Sequence, residues 1–395
     1  MITAGIISEY NPFHLGHAYH IGKTRLALGA QCAIVCVMSG NFVQRGDFAV
    51  FNKHARAKMA ILGGADLVIE LPSPYALSSA EGFAAAGVHI LDSLGICDHI
   101  SFGSESGDLG ALKEAAEAIS SGEAEAHLKE WLKNGLPYAS ALQKAADAVL
   151  GRRSEIFRSP NNLLGIEYLK AIDKTGSRLC AMTVQRSSGA HDSDTGMSAA
   201  ALRRMLLSND KPWSYMPKTA AAAGVAEIEA GRGPVSIKSC EIAMLSRLRE
   251  IKDFRKFPGI SEGLDRRLLR YAATEPSVAR ILQKAKTRRY AMSRLRRIVM
   301  CACLGITTAY TSGPPPYIRV LAMNNTGRKL LSEARDKAHL PVITKPASVL
   351  KLSESAASLF AKESEATDFY VLAYQDAEMR AGGQEWRHAP VIVES

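Results

Sequence analysis

The chain has 395 residues, 47% of them hydrophobic, enough for about two to three folded domains. Its 49 Lys and Arg against 39 Asp and Glu leave a charge of +10, compatible with a nucleic-acid partner without proving one. An odd count of seven cysteines, no apolar stretch of bilayer length and an opening run broken by Glu9 argue against a disulfide framework, a membrane span and a signal peptide, so a reduced cytoplasmic protein is expected.

The predicted elements begin with a short buried strand, Ala4 to Ile7. Asn11-Pro12 is a turn signal, because proline fixes its own φ and biases the preceding residue away from helix. From Leu15 onward, apolar residues recur at helical spacing. His14 and His17 therefore stand where a strand hands over to a helix N-terminus, a place that favours phosphate through unpaired N–H groups and the helix dipole. Spaced three apart, they share one side of the first turn and can donate hydrogen bonds to phosphate oxygens. Gly16 between them would let a flat base approach the backbone. His20 continues the spacing, but steps of three swing it off the shared face and no Cys or acid completes a metal site, so no metal ligand set is expected.

Further strands are predicted at 33–38, 67–71, 99–102 and 179–185, with helices near 15–29, 53–62, 78–92, 108–120 and 161–173. This alternation predicts an α/β fold: a Rossmann-like, doubly wound parallel sheet. Cys32, Cys36 and Cys180 fall in strand-like runs and are expected as buried thiols, whereas Cys301 and Cys303 stand too close for an ordinary zinc pair. Loop-forming residues follow each strand: Glu9 to His17; Ser39 to Asn41 and Gln44 to Asp47; Glu70 and Pro72 to Tyr75; Gly103 to Asp108; and Arg186 to Ser188 with His191 and Asp192. In open parallel sheets such loops converge outside the carboxyl ends of the strands, where ligands bind.

A helical insertion, Glu123 to Val149, carries no visible chemistry. Ser159-Pro160-Asn161-Asn162 then opens another helix, where an Asn serves either as a cap or as a ligand contact. In the stretch 196–204, Ser198 opens a helix with Arg203 following within two turns. The pair could hold a triphosphate, or mark a capped surface helix.

The character changes after Pro217, which divides the chain into a strand-and-helix part with the phosphate-favouring turn, 1–217, and a mostly helical basic part, 218–395. Residues 219–234 read as a linker or short helix. Residues 276–332 contain no Asp or Glu, yet hold Arg280, Lys284, Lys286, Arg288, Arg289, Arg294, Arg296, Arg297, Arg319, Arg328 and Lys329. A solvated helix face normally mixes signs, so this run points to phosphate contacts with RNA. Ile318 to Met323 and Phe369 to Tyr374 are predicted as strands of a small closing unit.

His14-Leu15-Gly16-His17 resembles the signature of the nucleotidylyltransferase superfamily. Together with Val37 to Gly46, Gly64 to Pro72, Phe102 to Glu105, Ser159 to Asn162, Lys286 to Tyr290 and Val320 to Asn324, it resembles one family over almost the whole chain: the bacterial tRNA(Met) cytidine acetate ligases. The resemblance implies ATP as substrate, with Mg2+ expected from phosphate chemistry rather than from any motif. It implies acetate as second substrate and elongator tRNA(Met) as partner, with no stable protein partner indicated. Acetyl-adenylate would form with release of pyrophosphate, and acetyl would pass to the exocyclic amine of the wobble cytidine, giving N4-acetylcytidine. His14 and His17 would be catalytic. The family's ATP site maps onto Ile7, Ser8, Glu9, Tyr10, Asn11, Pro12, Phe13, His14, Leu15, Gly16, His17, Ala18, Tyr19 and His20, then Gly103, one of Asn161 and Asn162, and Arg186. Ser198 and Arg203 would hold the leaving pyrophosphate, and Arg288, Arg289, Arg294, Arg296 and Arg297 would grip the tRNA. Leu15 stands where the family usually has Asn, and Ala200 where its Ser-rich loop carries a hydroxyl. Two rivals remain at this point: a small-molecule adenylyltransferase, and a non-catalytic RNA-binding protein on the same fold.

Overall fold

Alternate residues of the first strands belong to opposite faces of a sheet buried on both sides. In β1 (Thr3–Ser8), β2 (Ala33–Ser39) and β5 (Leu67–Leu71), the side chains of Ile7, Val35, Val37, Leu67 and Ile69 join one apolar core. Ile6, Ile34, Cys36, Met38 and Val68 join another. A sheet sandwiched this way reads as near-continuous apolar runs, as these segments do. The computed structural model describes residues 1–136, 138–186, 197–261 and 263–394.

A small antiparallel hairpin, β3 (Phe42–Val43) and β4 (Asp47–Phe48), follows β2. β6 (His99–Ser104) and β7 (Cys180–Gln185) complete a parallel set ordered β5-β2-β1-β6-β7. Beyond β5 the sheet is extended by β8 (Ile318–Met323), which runs antiparallel to β5, with β9 (Val342–Ile343) and β10 (Val391–Ile392) each parallel to β8. The predicted Rossmann-like doubly wound fold is thus present, with an antiparallel edge supplied from far along the chain.

α1 (Leu15–Leu28) and α2 (Lys53–Leu62) contribute to the core shared with Ile6 and Met38. α3 (Ser73–Ala76), α4 (Ala80–Ser93), α5 (Leu109–Ile119), α6 (Gly122–Lys133), α7 (Tyr138–Leu150) and α8 (Pro160–Thr175) contribute to the core on the other face. α9 (Ala199–Leu207) and α10 (Lys218–Glu229) follow β7, so most of the segment read as linker or short helix is helix. α11 (Glu241–Glu250), α12 (Leu264–Thr274), α13 (Val278–Ala285) and α14 (Met292–Leu304) then build a separate apolar core. Phe42 and Phe48 of the hairpin plug into it. α15 (Asn325–Lys337), α16 (Glu354–Val371) and the short α17 (Gln384–Arg387) close the chain.

Three local expectations need correction. Ile318 to Met323 is a strand, but it lies in the main sheet rather than in a closing unit of its own, because all six residues are buried and β5 offers an open edge. Residues from beyond 217 therefore share the sheet of the first part. Phe369 to Tyr374 is not a strand: it is the end of α16 and the turn after it. A short, nearly continuous apolar run such as this does not distinguish helix from strand by periodicity. Cys180 is exposed at the start of β7, which pairs only with β6 among the described residues, while all seven cysteines are free.

No helix among the described residues is long and apolar enough to cross a membrane.

Candidate active site

The strand-to-helix handover after β1 is tightly built. Tyr10 adopts φ 43, and the Asn11–Pro12 bond is cis. The Tyr10 ring packs on Phe13 at 4.9 Å and on His17 at 4.8 Å between centroids, and its hydroxyl meets Cys36 Sγ at 3.3 Å. His14 is the N-cap of α1: its Nδ1 accepts from Gly16 N at 3.0 Å, while His17 Nδ1 accepts from His14 N at 3.2 Å. An Nδ1 that accepts carries no proton, so a neutral ring in this position has its proton on Nε2. Gly16 has a local reason as well: a Cβ there would stand 2.8 Å from His14 Cε1.

Burial decides the charge of these rings. Burial, then the guanidinium groups of Arg186 and Arg203, hold His14 down to about 4. Burial, then His14, Arg186 and His20, hold His17 well below its ordinary value. Burial and Arg186 hold His20 to about 4, and its Nε2 lies 2.9 Å from Ser101 Oγ. At neutral pH the site therefore presents neutral imidazoles as donors beside two permanent positive charges. That combination suits a polyphosphate and avoids burying cations without counter-ions. Arg203 Nη1 also donates to Asn11 O at 2.6 Å, tying α9 to the turn.

A cavity of about 1180 Å³ opens here. It is lined by Ile7, Ser8, Glu9, Tyr10, Asn11, His17 and His20, by Gly103, Asn161, Arg186 and Arg203, and by Arg289, Arg294, Arg296 and Arg297 around the start of α14. Small-molecule sites usually span about 300–1,000 Å³, so the space exceeds what a nucleotide alone needs.

The other predicted residues stand elsewhere. His14 is buried against His17, with ring centroids 3.8 Å apart, rather than on the cavity wall. Pro12 and Phe13 are buried and support the turn; Leu15, Gly16 and Ala18 are half-buried and Tyr19 is exposed. Asn162 is buried as a clasp: its Oδ1 accepts from Glu105 N and Ser106 N at 2.9 and 3.1 Å. Asn161 is the member of the pair on the wall, with Nδ2 donating to Glu105 at 2.6 Å. Ser198 is exposed and caps α9 through Ala201 N, while Arg288 is exposed away from the wall. Ser187, Ser188, His191, Asp192 and Gly196 lie outside the described residues.

All five loops reach the crevice, through Glu9 and Asn11, Gln44 and Arg45, Pro74, Gly103, and Arg186, but some of their residues point away from it. Glu70 is buried and pairs with Lys53 Nζ at 2.6 Å; the same ammonium meets Glu385 at 2.7 Å. Asn41 accepts from Lys53 N, and Ser73 donates to Glu363, so these two residues turn inward beneath α16 and α17 while Gln44, Arg45 and Pro74 of the same loops stay on the cavity wall. The basic run divides likewise. Arg319 is fully buried, donating to His388 O at 2.7 Å with Glu385 3.8 Å away. Asn324, bonded to Asp66 at 2.9 Å, starts α15 at the amino end of β5, which places Arg328 and Lys329 at the other end of the sheet from the cavity.

Sequence reasoning passed over Arg56, which looked like an ordinary helix cation. It is fully buried and donates to Phe51 O at 2.9 Å, Glu9 O at 2.6 Å, Ser39 O at 3.0 Å and Gly40 O, locking the loops after β1 and β2 together. Glu167 and Tyr168 of α8 also line the cavity. Their signal was hidden in a helix predicted only for its periodicity. Among the described residues, no three His, Cys, Asp or Glu gather as a metal cage.

Comparison with known proteins gives the family. A family model described as HIGH Nucleotidyl Transferase matches residues 1–385. A tRNA(Met) cytidine acetate ligase of Acetivibrio thermocellus is 37% identical, covering 100% of both chains. One of Caldicellulosiruptor saccharolyticus is 38% identical over 95% of each. The crystal structure of Thermotoga maritima TmcAL bound with alpha-thio ATP has a TM-score of 0.91 at 32% identity, covering both chains in full. This chain belongs to the tRNA(Met) cytidine acetate ligase family. Within the family fold, the turn that carries His14 and His17 and the helix that carries Arg296 and Arg297 face one shared space.

Proposed function

We propose that this chain activates acetate with ATP and passes the acetyl group to the exocyclic amine of the wobble cytidine in elongator tRNA(Met). The observation that carries this reading is the single cavity bounded by the histidine turn on one side and by the α14 arginines on the other. In the first step an acetate oxygen attacks the α-phosphorus, the bond to the β-phosphate breaks, and pyrophosphate leaves. In the second step the cytidine amine attacks the acetyl carbonyl carbon, the bond to AMP breaks, and the amine gives up one proton.

The Nε2–H of His17, on the cavity wall, donates to phosphate oxygens as negative charge moves toward the leaving group, and His14, stacked behind it, holds that ring in place. Arg186 and Arg203 hold the β- and γ-phosphates, with Ser198 capping the helix that carries Arg203. Residues 7–20, Gly103 and Asn161 hold the nucleoside, and Asn162 keeps the 105–106 turn in place. Arg288, Arg289, Arg294, Arg296 and Arg297 bind the tRNA backbone. Mg2+ would arrive with ATP. The carboxylates near the phosphate end are Glu9 and Asp47, and this sparse set fits an ion held mainly by phosphates and water. Bound there, it would supply charge neutralisation on the phosphates.

The test is ATP–pyrophosphate exchange with and without acetate, followed by acetyl transfer to tRNA(Met). Acetate-dependent exchange and acetylated tRNA are expected. Exchange that ignores acetate, or a product in which AMP is joined to another nucleotide, would replace this reading with the small-molecule adenylyltransferase.

A further inference from the structure

The hairpin of residues 42–48 touches both halves of the cavity. On one side, Gln44 N donates to Glu9 Oε1 at 2.8 Å, on the turn that leads to His14. On the other side, the tip at Gly46 lies on the backbone of α14. A Cβ built on Gly46 would stand 2.4 Å from the carbonyl carbon of Arg296 and 2.4 Å from the nitrogen of Arg297. Those are backbone atoms of a helix interior and cannot swing aside. Gly46 also has φ +73 and closes its turn through Gly46 N to Val43 O at 2.9 Å. The stem is fixed by Phe42 and Phe48, both fully buried against Tyr370. Arg45 lines the cavity between the two contacts. Burial pushes the Asp47 carboxyl up, while the charges of Arg296 and Arg203 draw it down, so it faces one arginine from each half.

We propose that Gly46 is a positioning residue for the transfer step: its bare backbone is the seat on which α14 rests, and this seat sets the register of the tRNA-binding arginines over the nucleotide. The inference rests on the function proposed above. Gly46 itself bonds Val43 and rests on the backbone of Arg296 and Arg297, not on Arg186 or the histidine turn, so adenylation is expected to depend on it far less than transfer does.

Gly46→Ala and Gly46→Asn, each assayed beside the wild type, test this. Both lift α14 off its seat. Because a displacement of about 1 Å can cost about 10²-fold in rate, tRNA acetylation is expected to fall by more than about tenfold, mainly in kcat rather than in tRNA affinity. Acetate-dependent pyrophosphate exchange in the same samples is expected to stay near wild type, which also reports that the variants are folded. Asn adopts positive φ far more readily than Ala, so recovery of transfer in Gly46→Asn would assign the effect to turn conformation and overturn the proposal. Loss of exchange together with transfer, or no loss of transfer, would overturn it as well. A wild type without acetate-dependent exchange or tRNA acetylation would instead refute the underlying function.

Discussion

His14 and His17 cap one another: the backbone N–H of His14 donates to His17 Nδ1 at 3.2 Å, and the His14 ring turns back to accept from Gly16 N at 3.0 Å. The pair therefore shapes the helix start and, in the same bonds, fixes which nitrogen of each ring keeps its proton. Removing one ring disturbs both functions. His17→Ala is expected to lower acetate-dependent pyrophosphate exchange by about 10²–10³-fold, the usual cost of losing a donor to developing charge. Single-turnover formation of acetyl-adenylate measures this directly, and an unchanged rate would remove His17 from the chemistry.

The same burial predicts a pH dependence of stability. Above pH 6.5, the ordinary value, these imidazoles are neutral whether the chain is folded or not. Between 6.5 and about 4 the unfolded chain binds protons that folded His14 and His20 refuse, so stability falls as pH drops through that window. Urea unfolding from pH 7 down to 4 should show this decline, and His20→Asn should make it shallower.

The adjacent asparagines should separate cleanly. Asn162→Ala strips two backbone N–H groups of their acceptor and is expected to cost about 1–3 kcal/mol of stability. Asn161→Ala is expected to raise the ATP KM with little change in stability, since its side chain lies on the cavity wall. Thermal melts and ATP titrations of the two variants distinguish them.

Lys53 holds Glu70 and Glu385 together in the interior, with all three side chains only 1% exposed. Lys53→Met leaves these carboxylates without that counter-charge. Breaking one side of a buried pair costs about 3–5 kcal/mol, so the variant should unfold at much lower urea. Full stability would mean that Arg319 compensates.

Arg296→Ala should weaken tRNA binding without changing acetate-dependent exchange. Losing one phosphate contact should also reduce the slope of log K against log salt by about 1. An unchanged slope would place Arg296 off the tRNA path.

Much of the frame was legible in the residues themselves. The strands predicted at 33–38 and 67–71 are apolar but for Glu70, and α2 spans Lys53–Leu62 as predicted. Ser198 marks the start of α9 because its side chain accepts a backbone N–H locally. The histidine turn was legible for the same reason: its order of strand, turn, histidines and helix is contained within a few residues.

What the sequence could not determine depends on partners distant in the chain. Whether Arg56 and Arg319 are surface cations or buried clamps is settled by carbonyls and carboxylates brought from residues 9, 39, 385 and 388. β8 joins β5 across an interval of about 250 residues because a buried strand needs a paired edge, and no local pattern names that edge. Local hydrogen bonds and periodicity, which act over one or two turns, determined the elements. Desolvation and long-range pairing, which exist only once the chain has closed, decided which charges face the cavity and which lie beneath it.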